Sequence, residues 1–98
     1  MPTFISTLKF TEKGIHGIRE SHKRGAAFKT AAKKMGVKVT GEYWTLGYFD
    51  GLIIFDAPDD GTAAAAMIHL SAEGFVHTTT ARAFHPNEID KVVAKLGK

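Results

Sequence analysis

The sequence predicts an α+β protein: a four-stranded antiparallel sheet with two helices on one face and an extra helix at the C-terminal end. Three observations carry this. Four stretches alternate apolar or β-branched residues with a period of two, as half-buried strands do. Stretches with apolar residues at helical spacing separate them. Glycines and helix-capping residues fall at the boundaries between the two kinds of pattern. The resulting order is β-α-β-β-α-β-α.

Each element has its own local reason. Phe4, Ser6, Leu8 and Phe10 alternate with Thr3, Ile5, Thr7 and Lys9, a pattern rich in good strand formers. Thr11 is an N-cap for the first helical region, with Glu12 in the first turn where the helix dipole favours an acid. Gly14, Gly17 and Gly25 weaken this region, so an irregular turn is expected near Ser21 to Arg24. Phe28, Ala31, Ala32 and Met35 then fall at helical spacing, and Gly36 is placed to end the helix. Val37, Val39, Gly41 and Tyr43 are read as one face of a second strand, with Lys38, Thr40, Glu42 and Trp44 on the other. Gly47 turns the chain into a third strand, Leu52 to Phe55. Asp59 or Asp60 caps an alanine-rich helix from Gly61 to Leu70, with Ala64, Met67, Ile68 and Leu70 expected inward. Phe75 to Phe84 forms the fourth strand. Pro86 suits the first turn of a last helix, striped by Ile89, Val92, Val93 and Leu96. The first six elements match the ferredoxin-like βαββαβ pattern.

The strands carry large apolar groups on both faces, although the helices can cover only one. Ile5, Trp44, Ile53 and Phe55 are expected on the uncovered side. Leaving ~400 Å² of such surface in water forgoes roughly 10 kcal/mol, comparable to the whole stability of a small domain. A second copy laid sheet against sheet is therefore the expected solution, giving a homodimer or a higher oligomer. The competing arrangement folds the last helix across the open face, but one short helix is too small to cover four strands.

Composition narrows the function classes. The chain has 98 residues, enough for a single domain over 1–98. Its 44% apolar and 23% charged content fits a globular soluble protein rather than a disordered one. No stretch is long and apolar enough for a membrane span, no signal peptide opens the chain, and no cysteine is present, which together fit a reducing cytoplasm. The formal charge is +3, and much of the positive charge lies between Lys23 and Lys38. Nucleic-acid binding is not expected, because no recognition helix or RNA-binding sheet motif accompanies the basic segment, which reads as a solvated helix face.

The segments MPTFISTLKFTEKGI, SHKRGAAFKTAAKKMGVKV, EYWTLGYFDGLIIFDAPDD and TTTARAF together resemble the GYD domain family of small bacterial and archaeal proteins, over nearly the whole chain. The resemblance implies a dimeric α+β barrel of ferredoxin-like topology. It implies no reaction. In the name-giving motif, Gly47 takes the glycine position and Asp50 the aspartate, while Phe49 stands at the tyrosine position beside Tyr48. A structural role for this turn is preferred over a catalytic one. Gly47 admits a backbone angle closed to other residues, and Asp50 can accept hydrogen bonds from the turn's own amides.

The residues able to carry chemistry are scattered. His22 and His77 are candidate bases. Lys23, Arg24, Trp44, Tyr48, Asp50 and Arg82 are candidate ligand-binding residues, with Asp50 or Glu42 as the expected partner of Arg82. No histidine pair has metal-ligand spacing and no nucleophile triad or phosphate loop is recognisable, so no metal and no cofactor are expected. Three functions are compatible with this: a module that binds a small organic ligand or regulates a partner, a cofactor-free monooxygenase- or isomerase-like enzyme using His22 or His77, and a structural assembly subunit. A deep polar-lined cleft holding two of the groups His22, His77, Arg82 and Lys23 favours the enzyme. A cleft lined only by apolar atoms favours the binding module, and a filled sheet interface with no cleft favours the subunit.

Overall fold

A computed structural model describes residues 1–97. The elements are β1 (Thr3–Phe10), α1 (Glu12–His16), a 3₁₀ turn (Ile18–Glu20), α2 (Ser21–Lys34), β2 (Lys38–Trp44), β3 (Gly51–Asp56), α3 (Asp60–Ala72), β4 (Val76–Ala83) and α4 (Pro86–Ala94). All four strands join one antiparallel sheet in the order β2-β3-β1-β4. α2 packs along β2 and α3 along β4 on the same face. This is the ferredoxin-like arrangement with one helix added.

The caps act as the sequence requires. The Thr11 side chain accepts a hydrogen bond from the amide of Gly14, and that of Asp59 accepts from Thr62. Gly36 leaves α2 with φ +84°. The irregular turn lies earlier than expected: the chain breaks at Gly17–Glu20, and Ser21–Arg24 is already the first turn of α2. Gly25 sits inside α2 where the helix packs along β2. A β-carbon there would collide with the Glu42 carboxylate, which lies against α2 and pairs with Lys29 at 2.9 Å.

The core fills the space between sheet and helices. Phe4, Leu8, Ile53 and Phe55 point up from the sheet, and Phe28, Ala32, Ala63, Ala66 and Met67 point down from α2 and α3. Phe4 and Phe55 face each other across the β1–β3 pair, their rings stacked with centroids 5.4 Å apart. The inward stripe of α3 is Ala63, Ala66, Met67 and Leu70, whereas Ala64 and Ile68 are exposed. With alanine at four consecutive positions, 63 to 66, the apolar pattern alone leaves the rotation of this helix open.

Two corrections concern the open face. Phe55 is 0% and Ile53 7% exposed, so both belong to the core rather than to the uncovered side. A register shift between Val39 and Gly41 places a β-bulge at Thr40. The extra residue reverses the alternation, so Val39, Glu42 and Trp44 all face the helices while Gly41 and Tyr43 face away. The uncovered face is therefore built from Ile5, Leu52, Ile54 and Tyr43, with Thr7, Thr79 and Ala81 beside them. Both faces are apolar, as expected, but of the four residues expected on the open side only Ile5 is there.

The last helix does not cover this face. Ile89, Val92, Val93 and Leu96 are all exposed, and no residue of α4 is buried. α4 is tied down only near its start. The Glu88 carboxylate accepts from the amide of His85 at 2.9 Å and pairs with Arg82 at 3.3 Å. Those two contacts hold its pKa below the ordinary value, the His85 amide having the larger effect. The contribution is present above the unfolded-state pKa and is lost as pH falls through the lower folded value. In a pH titration followed by NMR, the His85 amide is expected to shift with an apparent pKa below the usual glutamate value of about 4.3. A midpoint at or above that value would remove Glu88 as the anchor.

Candidate functional site

The loop between β2 and β3 is held by Asp50. Its Oδ2 accepts from the Phe10 amide at 2.8 Å, its own amide donates to the Leu8 carbonyl at 2.8 Å, and its carbonyl accepts from the Thr45 amide at 3.0 Å. The carboxylate thus bonds the end of β1, forty positions away in sequence, rather than the amides of its own turn as expected. Gly47 has φ +130°, the left-handed range that favours glycine. The motif is a turn and a strand clamp. Asp50→Ala, which orphans the Phe10 amide, is expected to lower stability by about 1–3 kcal/mol, and Asp50→Asn by clearly less because it keeps an acceptor oxygen. Chemical denaturation of the two variants checks this; equal midpoints for Ala and Asn would contradict it.

Around this clamp lies a cleft of about 150 Å³ between α2, α3 and the adjoining end of the sheet. Its walls are predominantly apolar: Leu8 and Phe10 from β1, Phe28 from α2, Ile53 from β3, Leu70 from α3. Phe75, Val76 and Trp44 complete them. Arg24 lies over the Phe75 ring, its guanidinium carbon 4.0 Å from the centroid, and donates from Nη1 to the Gly17 carbonyl at 2.8 Å. Lys13 approaches the same ring at 4.4 Å. The Trp44 indole N–H donates to Ser21 Oγ at 2.8 Å. Glu42, Asp50, His69 and Glu73 supply the remaining polar lining.

Three of the residues singled out in the sequence thus meet: Arg24, Trp44 and Asp50. The others do not line the cleft. His22 is exposed, its ring edge-on to Trp44 at 6.0 Å. Lys23 is exposed beside Glu20 at 3.6 Å. Tyr48 projects from the β2–β3 loop and is 90% exposed. His77 pairs with Lys9 at the cleft end of the sheet but on the opposite face. Arg82 is on the helix face but opposite Phe4, at the far end, and its carboxylate partner is Glu88 rather than Asp50 or Glu42.

Sequence reading missed Glu42, His69, Glu73 and Phe75 in the cleft. It also missed a polar cluster at the far end, where Thr3 Oγ1 donates to Asp56 at 2.7 Å and lies 3.0 Å from His85 Nε2. Among the described residues no cluster of three or more histidines and carboxylates could hold a metal ion. No helix among them is long and apolar enough to cross a membrane.

Comparison with known proteins bears on both the fold and the loop. The GYD domain matches residues 4–93. A Thermus thermophilus protein named "Glutamine synthetase and cystathionine beta-lyase binding protein" is 33% identical over 84 residues, covering 85% of this chain and 88% of that protein. No solved structure matches. With the family match running from β1 into α4 and including the Gly47–Asp50 clamp, the chain belongs to the GYD domain family.

Proposed function

We propose that this chain is a homodimeric regulatory module that binds other proteins, metabolic enzymes among them. The observation that carries this is the loop between β2 and β3. Leu46 and Tyr48 stand almost wholly out of the protein, on a backbone braced by Asp50, by the Thr45 hydroxyl to the Phe49 carbonyl at 2.6 Å, and by Lys9 to the Tyr48 carbonyl at 3.1 Å. Because the loop backbone is already braced, side-chain freedom is the main entropy lost when a partner covers Leu46 and Tyr48. Aromatic anchors of this kind carry much of the energy of protein interfaces. The name of the Thermus relative supports the same reading, since it records binding to two enzymes.

Self-association belongs to this proposal. On the open sheet face Tyr43 is exposed and Ile5, Leu52 and Ile54 are half-buried with no helix over them, and the apolar stripe of α4 is exposed; contiguous apolar surface of this kind marks interaction sites. A two-fold pair of sheets seals the first of these. A cytoplasmic location belongs to it as well, and agrees with a chain without cysteine. The cofactor-free enzyme reading has less support, because both of its bases, His22 and His77, lie outside the cleft.

The test uses the full chain, immobilised, with purified glutamine synthetase and cystathionine β-lyase from its own source organism. Saturable binding of at least one enzyme is expected. The double variant Leu46→Ser, Tyr48→Ser should weaken it by about thirtyfold or more, the loss of one interface hot spot, with an unchanged circular dichroism spectrum. Retention of neither enzyme, or equal retention by the double variant, would overturn the reading.

A further inference from the structure

We infer that the cleft between α2, α3 and the sheet is a binding site for a free α-amino acid with an apolar side chain. The inference does not rest on the protein-binding proposal: the cleft is on the helix side of the sheet, and its occupant is a small molecule.

Two opposite charges face one small apolar volume without meeting each other. Arg24 and Asp50 both line the cleft, yet neither is in an ion pair among the described residues. The Arg24 guanidinium is fixed by the Phe75 ring and the Gly17 carbonyl, and these use one face and one N–H of a group with five donors. Asp50 is fixed through Oδ2 by the Phe10 amide, which leaves Oδ1 for another donor. The other charges shift this balance little. Glu42 is matched by Lys29 at 2.9 Å. Glu73 and Lys13, whose Nζ donates to the Glu73 carbonyl at 2.7 Å, are both exposed and of opposite sign, and His69 is exposed on α3.

A ligand with a single charge satisfies one of these groups and leaves the other facing it. A carboxylate alone meets Asp50 as a like charge, and an amine alone meets Arg24. A zwitterion answers both, with its carboxylate on Arg24 and its ammonium on Asp50. The apolar walls of Phe28, Ile53 and Phe75 then take the side chain. A volume of about 150 Å³ is that of an apolar cavity able to take a benzene-sized group, which suits a leucine- or phenylalanine-sized side chain.

Trp44 is the single tryptophan of the chain and lines the cleft, so its fluorescence reports occupancy directly. The probes are L-leucine, 4-methylpentanoate, which lacks the ammonium, and 3-methylbutylamine, which lacks the carboxylate. Leucine is expected to give a saturable change and to bind roughly tenfold or more tighter than either analogue, the size of one charge-assisted hydrogen-bonded contact. Arg24→Gln should weaken leucine but not 3-methylbutylamine. Asp50→Asn, which keeps the acceptor for Phe10, should weaken leucine but not 4-methylpentanoate, and it preserves the test if the Arg24 variant fails to fold. No saturable change with leucine at millimolar concentrations, or an analogue binding as tightly as leucine, would overturn the inference.

Discussion

Phe55→Ala is expected to destabilise the folded chain by about 3–5 kcal/mol, the usual cost of truncating a buried phenylalanine. Phe55 is fully buried, stacks on Phe4 and stands in the second strand from the sheet edge, where α2 and α3 close over it. Its partners on either side, Phe4 of β1 and Val39 of β2, sit in hydrogen-bonded strands, which limits collapse into the cavity left behind. Since small domains are stable by only about 5–15 kcal/mol, the variant should lie close to its unfolding threshold. Urea denaturation checks this. A loss below about 1 kcal/mol would mean that Phe55 does not belong to the core.

Ile54→Glu, one residue away, is expected to act on association instead. Ile54 opposes Ile5 on β1 and Gly41 on β2 and faces away from the helices. In a lone protomer a glutamate there reaches water. In a two-fold pair it brings two unpaired carboxylates into one apolar seam, each costing several kcal/mol to desolvate. The variant should stay folded and become monomeric at micromolar concentration. Circular dichroism and sedimentation together read the outcome; a folded variant with the wild-type association state would place the interface elsewhere. The contrast between neighbouring residues is the useful part. Parity along β3 separates a folding defect from an assembly defect.

Most of the fold is legible in the sequence because its signals are local. Thr11, Asp59 and Gly36 each act within one turn of their own position, and the strand alternation of β1 and β3 needs no distant information. The features that escape a sequence reading depend on contacts between elements. The bulge at Thr40 is invisible to a period-two count, and it moves Trp44 from the open face to the helix face. Alternation also shows that β3 has two apolar faces without showing which one the helices take. Phe55 and Ile53 are expected on the wrong side for that reason. In α3, consecutive alanines carry too little contrast to fix the rotation of the helix.

The site is legible in part for the same reason. Arg24, Trp44 and Asp50 stand out by residue type and nearby chain irregularity, and the fold brings them to one cleft. Glu42 shares β2 with Trp44 but reaches the cleft face only through the bulge, and His69 and Phe75 come from other segments and join the cleft only by packing. His77 has the right end of the sheet and the wrong face, and Arg82 the right face and the wrong end. Both are errors of register, which a single sequence does not display. The glycine-aromatic-aspartate stretch is a clamp. Its aspartate serves the Phe10 amide and its glycine serves the turn, while the Tyr48 side chain beside them is exposed.

The central claim is that the sheet face bearing Ile5, Leu52, Ile54 and Tyr43 is closed by a second copy of the chain. Sedimentation equilibrium of the 98-residue chain at micromolar concentration tests it most directly. The expected result is a species of twice the 10.6 kDa chain mass. A single species of 10.6 kDa throughout that concentration range would contradict the claim.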